Sequence, residues 1–143
     1  MSTALSQQDW SKLIFDKLAG AGVTLFSYVP DFGSSVLVEM ADEDNRTRTV
    51  LLSSEQEGVA LCAGADLVGG RGVLLMQSSG VGNCINMLSL REIARIPMVI
   101  IVTMRGEYAE FNPWQIPMGS KTQAAFEMCG FKVERVDRAE DAG

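Results

Sequence analysis

The stretch that decides the fold is Ser53-Ser54-Glu55-Gln56-Glu57-Gly58, which continues as Val59-Ala60-Leu61-Cys62-Ala63-Gly64. It follows a short apolar run at residues 49–52 and carries the small and apolar residues of a packed helix. The pattern predicts a strand, a tight turn and a helix, with a carboxylate at the junction. A second unit of this kind follows, in which residues 73–76 lead into Ser78-Ser79-Gly80-Val81-Gly82-Asn83.

The same alternation of strand and helix runs through the rest of the chain. Strands are expected at residues 23–29, 49–52, 73–76, 98–102 and 131–136, and helices at residues 55–68, 82–93 and 121–129. Before them, a helix is expected behind a Ser6-x-x-Asp9 start signal, and a shorter one from Ser34 or Ser35 to Met40. Residues 42–48 and 105–119 are expected to be loops.

This element order predicts the fold class. Strands joined by single helices imply right-handed crossovers and a mainly parallel, doubly wound α/β sheet with helices on both faces. At 143 residues, the chain is expected to form one domain, over residues 1–143. Ligands of such sheets bind at the carboxyl ends of the strands.

Composition excludes several classes of function. The formal net charge of -6 argues against nucleic acid or an anionic membrane surface as a partner. The longest apolar stretch, residues 96–104, contains Pro97 and is shorter than the roughly 18 residues that a membrane span needs. The first residues lack the basic and apolar regions of a signal peptide, so a cytoplasmic location is expected.

The chemistry available to the side chains is restricted. The chain has no histidine, which removes the commonest general base and metal ligand. Cys62, Cys84 and Cys129 are far apart and each lies in an apolar pattern, so they are expected to be core thiols in a reducing compartment. Any catalysis must then use carboxylates, a cofactor or a partner.

Two glutamates begin the helix at residues 55–68. Ser54-x-x-Glu57 has the spacing of a capping box, so Glu57 is expected to stabilise the helix start. Glu55 lies a step earlier, between the strand end and an Ala- and Gly-rich helix. Glu55 is either a second acid whose negative charge stabilises the helix through the helix dipole, or a functional carboxylate.

Three further features lie at predicted carboxyl ends of strands. The small-residue loop 78–83 could bring backbone close to a ligand, or could be a tight turn without one. Arg105 could hold an anionic substrate, or form a salt bridge with Glu107 or Glu110. Asp31 is either an Asx-turn residue, which is slightly favoured, or a polar group at the mouth of a site.

Taken in order, these segments resemble the pyrimidine-binding (PYR) domain of thiamine diphosphate-dependent decarboxylases. The likeness is to the separate α-subunits of sulfopyruvate decarboxylase and to the matching part of phosphonopyruvate decarboxylase. It covers about residues 8–137 and rests on four pieces: Tyr28-Val29-Pro30-Asp31, Glu55-x-Glu57-Gly58 with Ala63-Gly64, Met76-Gln77-Ser78-Ser79-Gly80-x-Gly82-Asn83, and Ile96-Pro97-Met98 with Arg105-Gly106-Glu107.

The resemblance implies a cofactor and the residues that meet it. In that family the glutamate at the position of Glu55 hydrogen-bonds the aminopyrimidine ring of thiamine diphosphate and so activates the cofactor. A carboxyl group in a pocket of low dielectric can share a proton with a ring nitrogen in this way. Ser79, Gly80, Gly82 and Asn83 are implied to lie near the same ring or the reacting carbon.

The sequence departs from the family pattern in three places. It has no Gly-Asp-Gly with a later Asn-Asn, the element that binds Mg²⁺ and the diphosphate, so these ligands are expected from a β-subunit carrying the pyrophosphate-binding (PP) domain. Related α-subunits generally carry a histidine where this chain has Gln115, which can hydrogen-bond but cannot shuttle a proton. The family's final helix–strand unit is expected to be absent.

The leading expectation is therefore the α-subunit of a hetero-oligomeric, thiamine diphosphate-dependent decarboxylase. Its substrate would be a small anionic 2-keto acid, with sulfopyruvate ahead of phosphonopyruvate. Glu55 would be catalytic, and Asp31, Arg105 and Gln115 are weaker candidates for the substrate side. Two alternatives stay open: a thiamine diphosphate carboligase or acyl-transferring enzyme, and a non-catalytic PYR-like module that binds a partner.

Overall fold

Four parallel strands carry the fold of this protein. In the computed structural model, which describes residues 7–142, they are β1 (Leu25–Tyr28), β2 (Arg48–Leu51), β3 (Gly72–Gln77) and β4 (Val99–Thr103). Their order in the sheet is β2-β1-β3-β4, and every neighbouring pair is parallel. The predicted α/β class is confirmed, and four of the five predicted strands are present.

The helices connect these strands and cover both faces of the sheet. They are α1 (Gln7–Gly20), α2 (Ser35–Glu43), α3 (Glu55–Leu67), α4 (Val81–Ala94), α5 (Ile116–Gly119) and α6 (Thr122–Met128). Short 3-10 turns lie at Phe32–Ser34, Ser78–Gly80, Pro113–Gln115 and Ala139–Asp141. Ser6 of the predicted start signal of α1 lies outside the described residues.

The central strand β3 explains why the sheet is covered on both sides. Its residues Val73, Leu74, Leu75 and Met76 are fully buried, as expected for a parallel strand with helices on both faces. Leu74 and Met76 join one core cluster with residues of α3, α4 and α6, while Val73 and Leu75 join a second with residues of α1 and α2. The doubly wound arrangement follows from this alternation.

The strand order creates a crevice at one place. The chain leaves β1 for the edge strand β2, then crosses back over β1 to reach β3 on its other side. The topological switch point therefore lies between the carboxyl ends of β1 and β3, where ligands of open α/β sheets bind. Asp31 follows β1, and the loop 78–83 follows β3, so both predicted features lie at this point.

The strand predicted at residues 131–136 is wrong. No strand is assigned beyond β4 in the described part of the chain. Phe131 instead packs edge-on against Phe126, with ring centroids 5.4 Å apart. Arg135 forms exposed ion pairs with Glu107 and Asp137. Aromatic packing and surface charge pairs hold the segment without backbone pairing to β4.

The loop predicted at residues 105–119 is only partly irregular. Pro113 begins a 3-10 turn that leads into α5, and a proline at the first helical position has the backbone angle that a helix start requires. The predicted irregular loop is therefore shorter than expected. This ordered end of the loop positions Gln115.

Two helices leave apolar side chains in solvent. Leu67 and Val68 at the end of α3 are 77% and 85% exposed, and Ile93 on α4 is 84% exposed. Exposed apolar side chains of this kind are typical of an interaction surface. Within residues 7–142, no helix has the length and apolar character needed to cross a bilayer.

Two glycines of α3 provide a test of the packing between this helix and the sheet. A Cβ at Gly58 would lie 2.4 Å from Leu74 Cδ1 and 2.7 Å from Leu52 Cδ1, and both leucines are buried. We expect Gly58→Ala to lower the free energy of unfolding by about 1–2 kcal/mol, because overpacking outweighs the gain in helix propensity.

Gly64→Ala is the matched control. No atom lies within 4 Å of a Cβ at this position, so alanine is expected to raise the free energy of unfolding by up to about 1 kcal/mol. Urea unfolding of both variants measures the difference. Equal stabilities would contradict the packing described for α3.

Candidate cofactor site at the carboxyl edge of the sheet

Glu55 is a buried carboxylate at the start of α3. Its side chain belongs to a residue only 8% exposed, although a glutamate is usually found in solvent. Asn83 on α4 donates a hydrogen bond from Nδ2 to Glu55 Oε2 over 3.0 Å. The packing of α3 against α4 therefore brings together two residues that the sequence predicted for the site.

Gly80 makes room for this carboxylate, because the Glu55 side chain fills the place that a Cβ would take. A Cβ at Gly80 would lie 2.2 Å from Glu55 Oε1, a distance that no side chain tolerates. Any larger residue would displace the carboxylate. The glycine of the loop is thus required by its contact with Glu55, which a tight turn alone would not demand.

The start of α3 differs in detail from a capping box. Ser54 is the N-cap residue, but its side chain makes no capping hydrogen bond. Glu57 Oε2 instead accepts a hydrogen bond from the backbone N–H of Ser53 over 2.8 Å. Glu57 stabilises the turn before the helix, as expected, one residue earlier than the motif predicts. Glu55 is left to face the loop.

Asp31 lies at the switch point and is fully engaged by the chain. Its Oδ2 accepts from the backbone N–H of Gly33 over 2.9 Å and from Thr103 Oγ1 over 2.6 Å. Its Oδ1 accepts from Gln77 Nε2 over 2.9 Å. The Asx-turn interpretation is confirmed by the Gly33 contact, and the carboxylate additionally links the ends of β1, β3 and β4.

The loop after β3 is tied to the same network. Ser79 Oγ donates to Gln77 Oε1 over 2.6 Å. The buried Ser78 Oγ accepts from the backbone N–H of Arg105 over 2.9 Å and so connects this loop to the end of β4. Sequence reasoning missed Gln77 and Thr103. The sequence pattern that could have identified them is a polar residue at the end of each of two apolar strands.

Arg105 forms an ion pair with Glu110, the alternative to anion binding that was expected from the sequence. Its Nε and Nη2 donate to the two carboxylate oxygens of Glu110 over 2.7 and 2.6 Å. Arg105 above all, with the backbone N–H groups of Asn112 and Gly106, lowers the pKa of Glu110 to about 2. The hydrogen bonds to Glu110 in turn raise the pKa of Arg105.

Gln115 is buried close to the loop after β3. It is 6% exposed and immediately precedes α5, which packs against Ser78–Gly80. Its Oε1 atom is buried and has no hydrogen-bond partner in the described part of the chain. Buried polar atoms normally form hydrogen bonds. This oxygen can therefore accept a hydrogen bond from a donor outside the described residues.

The thiols do not contribute a nucleophile. Burial, and then the negative charge of Glu55, raise the pKa of the Cys84 thiol to about 12. Burial also raises the pKa of Cys62 and of Cys129. All three are buried free thiols, as the sequence predicts for core cysteines. They stay protonated at neutral pH and act as apolar packing groups.

One surface concavity lies elsewhere on the molecule. It measures about 570 Å³ and lies between α1 and the loop before β2, lined by charged residues such as Asp16, Glu43 and Arg46. This is the amino-terminal side of the sheet, whereas Glu55 and Asp31 lie at the carboxyl edge. Glu55 thus lies on an open edge of this chain and outside that concavity.

These features define a class of site. A buried carboxylate that packs against a glycine and is oriented by an asparagine can bind a polar ring and exchange a proton with it. Among residues 7–142, no cluster of three or more cysteine, aspartate or glutamate residues could hold a metal ion. The arrangement fits the aminopyrimidine half of a thiamine diphosphate site.

Comparison with known proteins agrees with this class. The family model described as "Thiamine pyrophosphate enzyme, N-terminal TPP binding domain" matches residues 8–125. The chain belongs to this family. The expected resemblance to the PYR domain of thiamine diphosphate-dependent decarboxylases is confirmed.

Three relatives indicate the branch of the family. The chain is 32% identical over 133 residues to sulfopyruvate decarboxylase subunit alpha of Methanocaldococcus jannaschii, which covers 92% of this chain and 79% of the relative. It is 36% identical over 115 residues to the same subunit of Methanothermobacter thermautotrophicus, covering 80% and 70%. It is 37% identical over 127 residues to phosphonopyruvate decarboxylase of Streptomyces hygroscopicus, covering 87% of this chain and 32% of the relative.

The contact between Gly80 and Glu55 provides a test of the site. We expect Gly80→Ala to displace the carboxylate and to lower cofactor-dependent turnover of the assembled enzyme by about 100-fold or more, the usual contribution of a general acid–base group. Steady-state kinetics with saturating thiamine diphosphate measure the loss.

Gly20→Ala serves as the control for this substitution. Its Cβ would have no atom within 4 Å, and the residue ends α1 away from the site. It should leave turnover unchanged. Wild-type turnover by Gly80→Ala would contradict the position assigned to Glu55.

Proposed function

We propose that this chain is the α-subunit of a two-subunit, thiamine diphosphate-dependent decarboxylase that acts on sulfopyruvate. The observation that carries the proposal is the buried carboxylate of Glu55, which lies against Gly80 and accepts a hydrogen bond from Asn83. A buried carboxylate is costly unless it is hydrogen-bonded or bound to a ligand. Membership in the family supplies the ligand.

The chain's own residues would bind and orient the aminopyrimidine half of the cofactor. Glu55 would share a proton with a ring nitrogen, Asn83 would fix the orientation of that carboxylate, and Gly80 would leave room for the carboxylate beside the loop. Ser79 and Gly82 are proposed to lie near the same ring. When bound, thiamine diphosphate supplies the electron sink that allows a 2-keto acid to lose carbon dioxide.

The other half of the site is proposed to come from a partner. The chain carries no Gly-Asp-Gly element for Mg²⁺ and the diphosphate, so a β-subunit with the PP domain is proposed to supply their ligands. The carboxyl edge also exposes large aromatic side chains: Phe32 (85%), Tyr108 (95%), Phe111 (87%) and Trp114 (66%). Exposed aromatics of this kind are enriched at protein interfaces, which supports a hetero-oligomer that closes over this edge.

Gln115 and Arg105 are proposed for the substrate side. Gln115 has a buried amide oxygen with no hydrogen-bond donor among the described residues. Arg105 has a positive charge at the same edge, but Glu110 already occupies two of its nitrogens, so it is the weaker of the two. Asp31 was a third candidate from sequence, and its carboxylate oxygens are occupied by the chain itself.

Sulfopyruvate is proposed as the first substrate because two relatives that match most of the chain are sulfopyruvate decarboxylase α-subunits, 32% and 36% identical to it. Phosphonopyruvate is the alternative, since a phosphonopyruvate decarboxylase is 37% identical over 127 residues. The buried free thiols are compatible with the cytoplasmic location proposed for this chain.

A thiamine diphosphate carboligase is the second candidate function, and Gln115 is the residue that favours it. Gln115 is an amide and cannot deliver a proton to the product carbon. An enzyme with the same cofactor half-site could instead transfer that carbon to an acceptor. Product analysis with and without an added aldehyde separates the two activities.

The proposal is tested by isolating the chain with its partner from its source. We expect a co-purifying protein that carries Gly-Asp-Gly and a downstream Asn-Asn. The complex should release carbon dioxide from sulfopyruvate in the presence of thiamine diphosphate and Mg²⁺. Phosphonopyruvate under the same conditions is the matched comparison.

Two results would contradict the proposal. If the complex turns over phosphonopyruvate much faster than sulfopyruvate, the substrate assignment is wrong. If the chain binds an unrelated protein and its complex shows no dependence on thiamine diphosphate, the chain is a non-catalytic PYR-like module.

A further inference from the structure

We infer that Asp31 is a positioning residue which, through Gln77, makes the Ser79 hydroxyl a hydrogen-bond acceptor at the site. The inference deepens the proposed function and rests on it. It replaces the direct contact with substrate that the sequence suggested for Asp31. It also specifies which chemical groups of a ligand Ser79 accepts.

The first step is the saturation of the Asp31 carboxylate. Gly33 N and Thr103 Oγ1 donate to Oδ2, and Gln77 Nε2 donates to Oδ1, at 2.6–2.9 Å. These donors come from the turn after β1 and from the last residues of β3 and β4. Gln77 and Thr103 are partners in the register of β3 and β4, so the sheet itself fixes the network.

The second step is the orientation of the Gln77 amide. An ionised carboxylate only accepts hydrogen bonds, so it selects the Nε2 end of the amide, which is a donor. The Oε1 end must then point the other way, where it accepts from Ser79 Oγ over 2.6 Å. The charge on Asp31 thereby decides which end of Gln77 faces Ser79.

The third step concerns the single proton of the Ser79 hydroxyl. It is donated to Gln77, so the lone pairs of Oγ can only accept from a ligand. Ser79 is half-buried and adjacent to Gly80, which bounds the Glu55 carboxylate. A ligand that meets Ser79 must therefore offer an N–H or O–H group, such as the amino group of an aminopyrimidine. A sulfonate or carboxylate oxygen would meet only lone pairs there.

The network can be reversed by one substitution. In Asp31→Asn, the amide oxygen of the new side chain still accepts from Gly33 and Thr103. The NH₂ group of the asparagine therefore points towards Gln77. Two donors then face each other, and the Gln77 amide must flip. Its NH₂ end meets Ser79, which becomes the acceptor of that hydrogen bond and turns its own proton towards the ligand.

A second substitution restores the original pattern. In Asp31→Asn with Gln77→Glu, the asparagine NH₂ donates to the new carboxylate, and the other carboxylate oxygen accepts from Ser79. Shape and total charge match the wild type. Gln77→Glu alone places two carboxylates against each other and is the control for the charge.

The experiment measures the affinity of the assembled enzyme for thiamine diphosphate and its kcat and KM for sulfopyruvate. We expect Asp31→Asn to weaken cofactor affinity about tenfold, the effect of losing one hydrogen bond at a site. The double variant should recover to within about threefold of wild type. Ser79→Ala should weaken affinity about as much as Asp31→Asn, and combining the two should add little, since both remove the same acceptor.

Other results would overturn the inference. A double variant as weak as Asp31→Asn, or multiplicative losses for Asp31→Asn with Ser79→Ala, would mean that Asp31 does not act through Gln77 and Ser79. If the wild-type complex lacks turnover, the proposed function has failed separately. The network is then tested by thermal unfolding. The melting temperature of the double variant must be higher than that of Asp31→Asn and that of Gln77→Glu. A double variant that melts no higher than the better single variant contradicts the network.

Discussion

The contact between Glu55 and Gly80 is the constraint on which the site depends. A carboxylate at the start of α3 can be buried against the loop after β3 only because residue 80 has no side chain. That approach follows from the packing of α3 on α4, which also brings Asn83 within 3.0 Å of the carboxylate. The same charge contributes to the raised pKa of Cys84 and so keeps the adjacent thiol protonated.

Apolar packing and the polar candidate site lie in different parts of the parallel sheet. The middle of β3 is fully buried between helices and carries only apolar residues, whereas the ends of β3 and β4 carry Gln77 and Thr103. Parallel strands present all their carboxyl ends at one edge, so these polar residues meet Asp31 at the switch point. Stability is thus supplied by the interior of the sheet, and the polar residues of the candidate site lie at its edge.

The sequence predicted the features that are local and missed those that depend on strand neighbours. Glu55 at a strand–helix junction and the small-residue loop 78–83 are read from consecutive residues. The network of Asp31 with Gln77 and Thr103 joins residues 46 and 72 positions apart, so it requires the order of strands in the sheet. The strand expected at residues 131–136 has a suitable pattern, but Phe131 packs on α6 and Arg135 pairs with Glu107, and neither contact is visible in the spacing.

The central claim is that Glu55 activates the cofactor. The most direct measurement is the rate at which the C2 proton of bound thiamine diphosphate exchanges with deuterium in the assembled enzyme, followed by NMR after acid quench. Glu55→Gln keeps the shape of the side chain and its contact with Asn83, so the account predicts retained cofactor binding with exchange slowed by about 100-fold or more. Exchange at the wild-type rate in Glu55→Gln would contradict the account, because the cofactor would then be activated without the carboxylate.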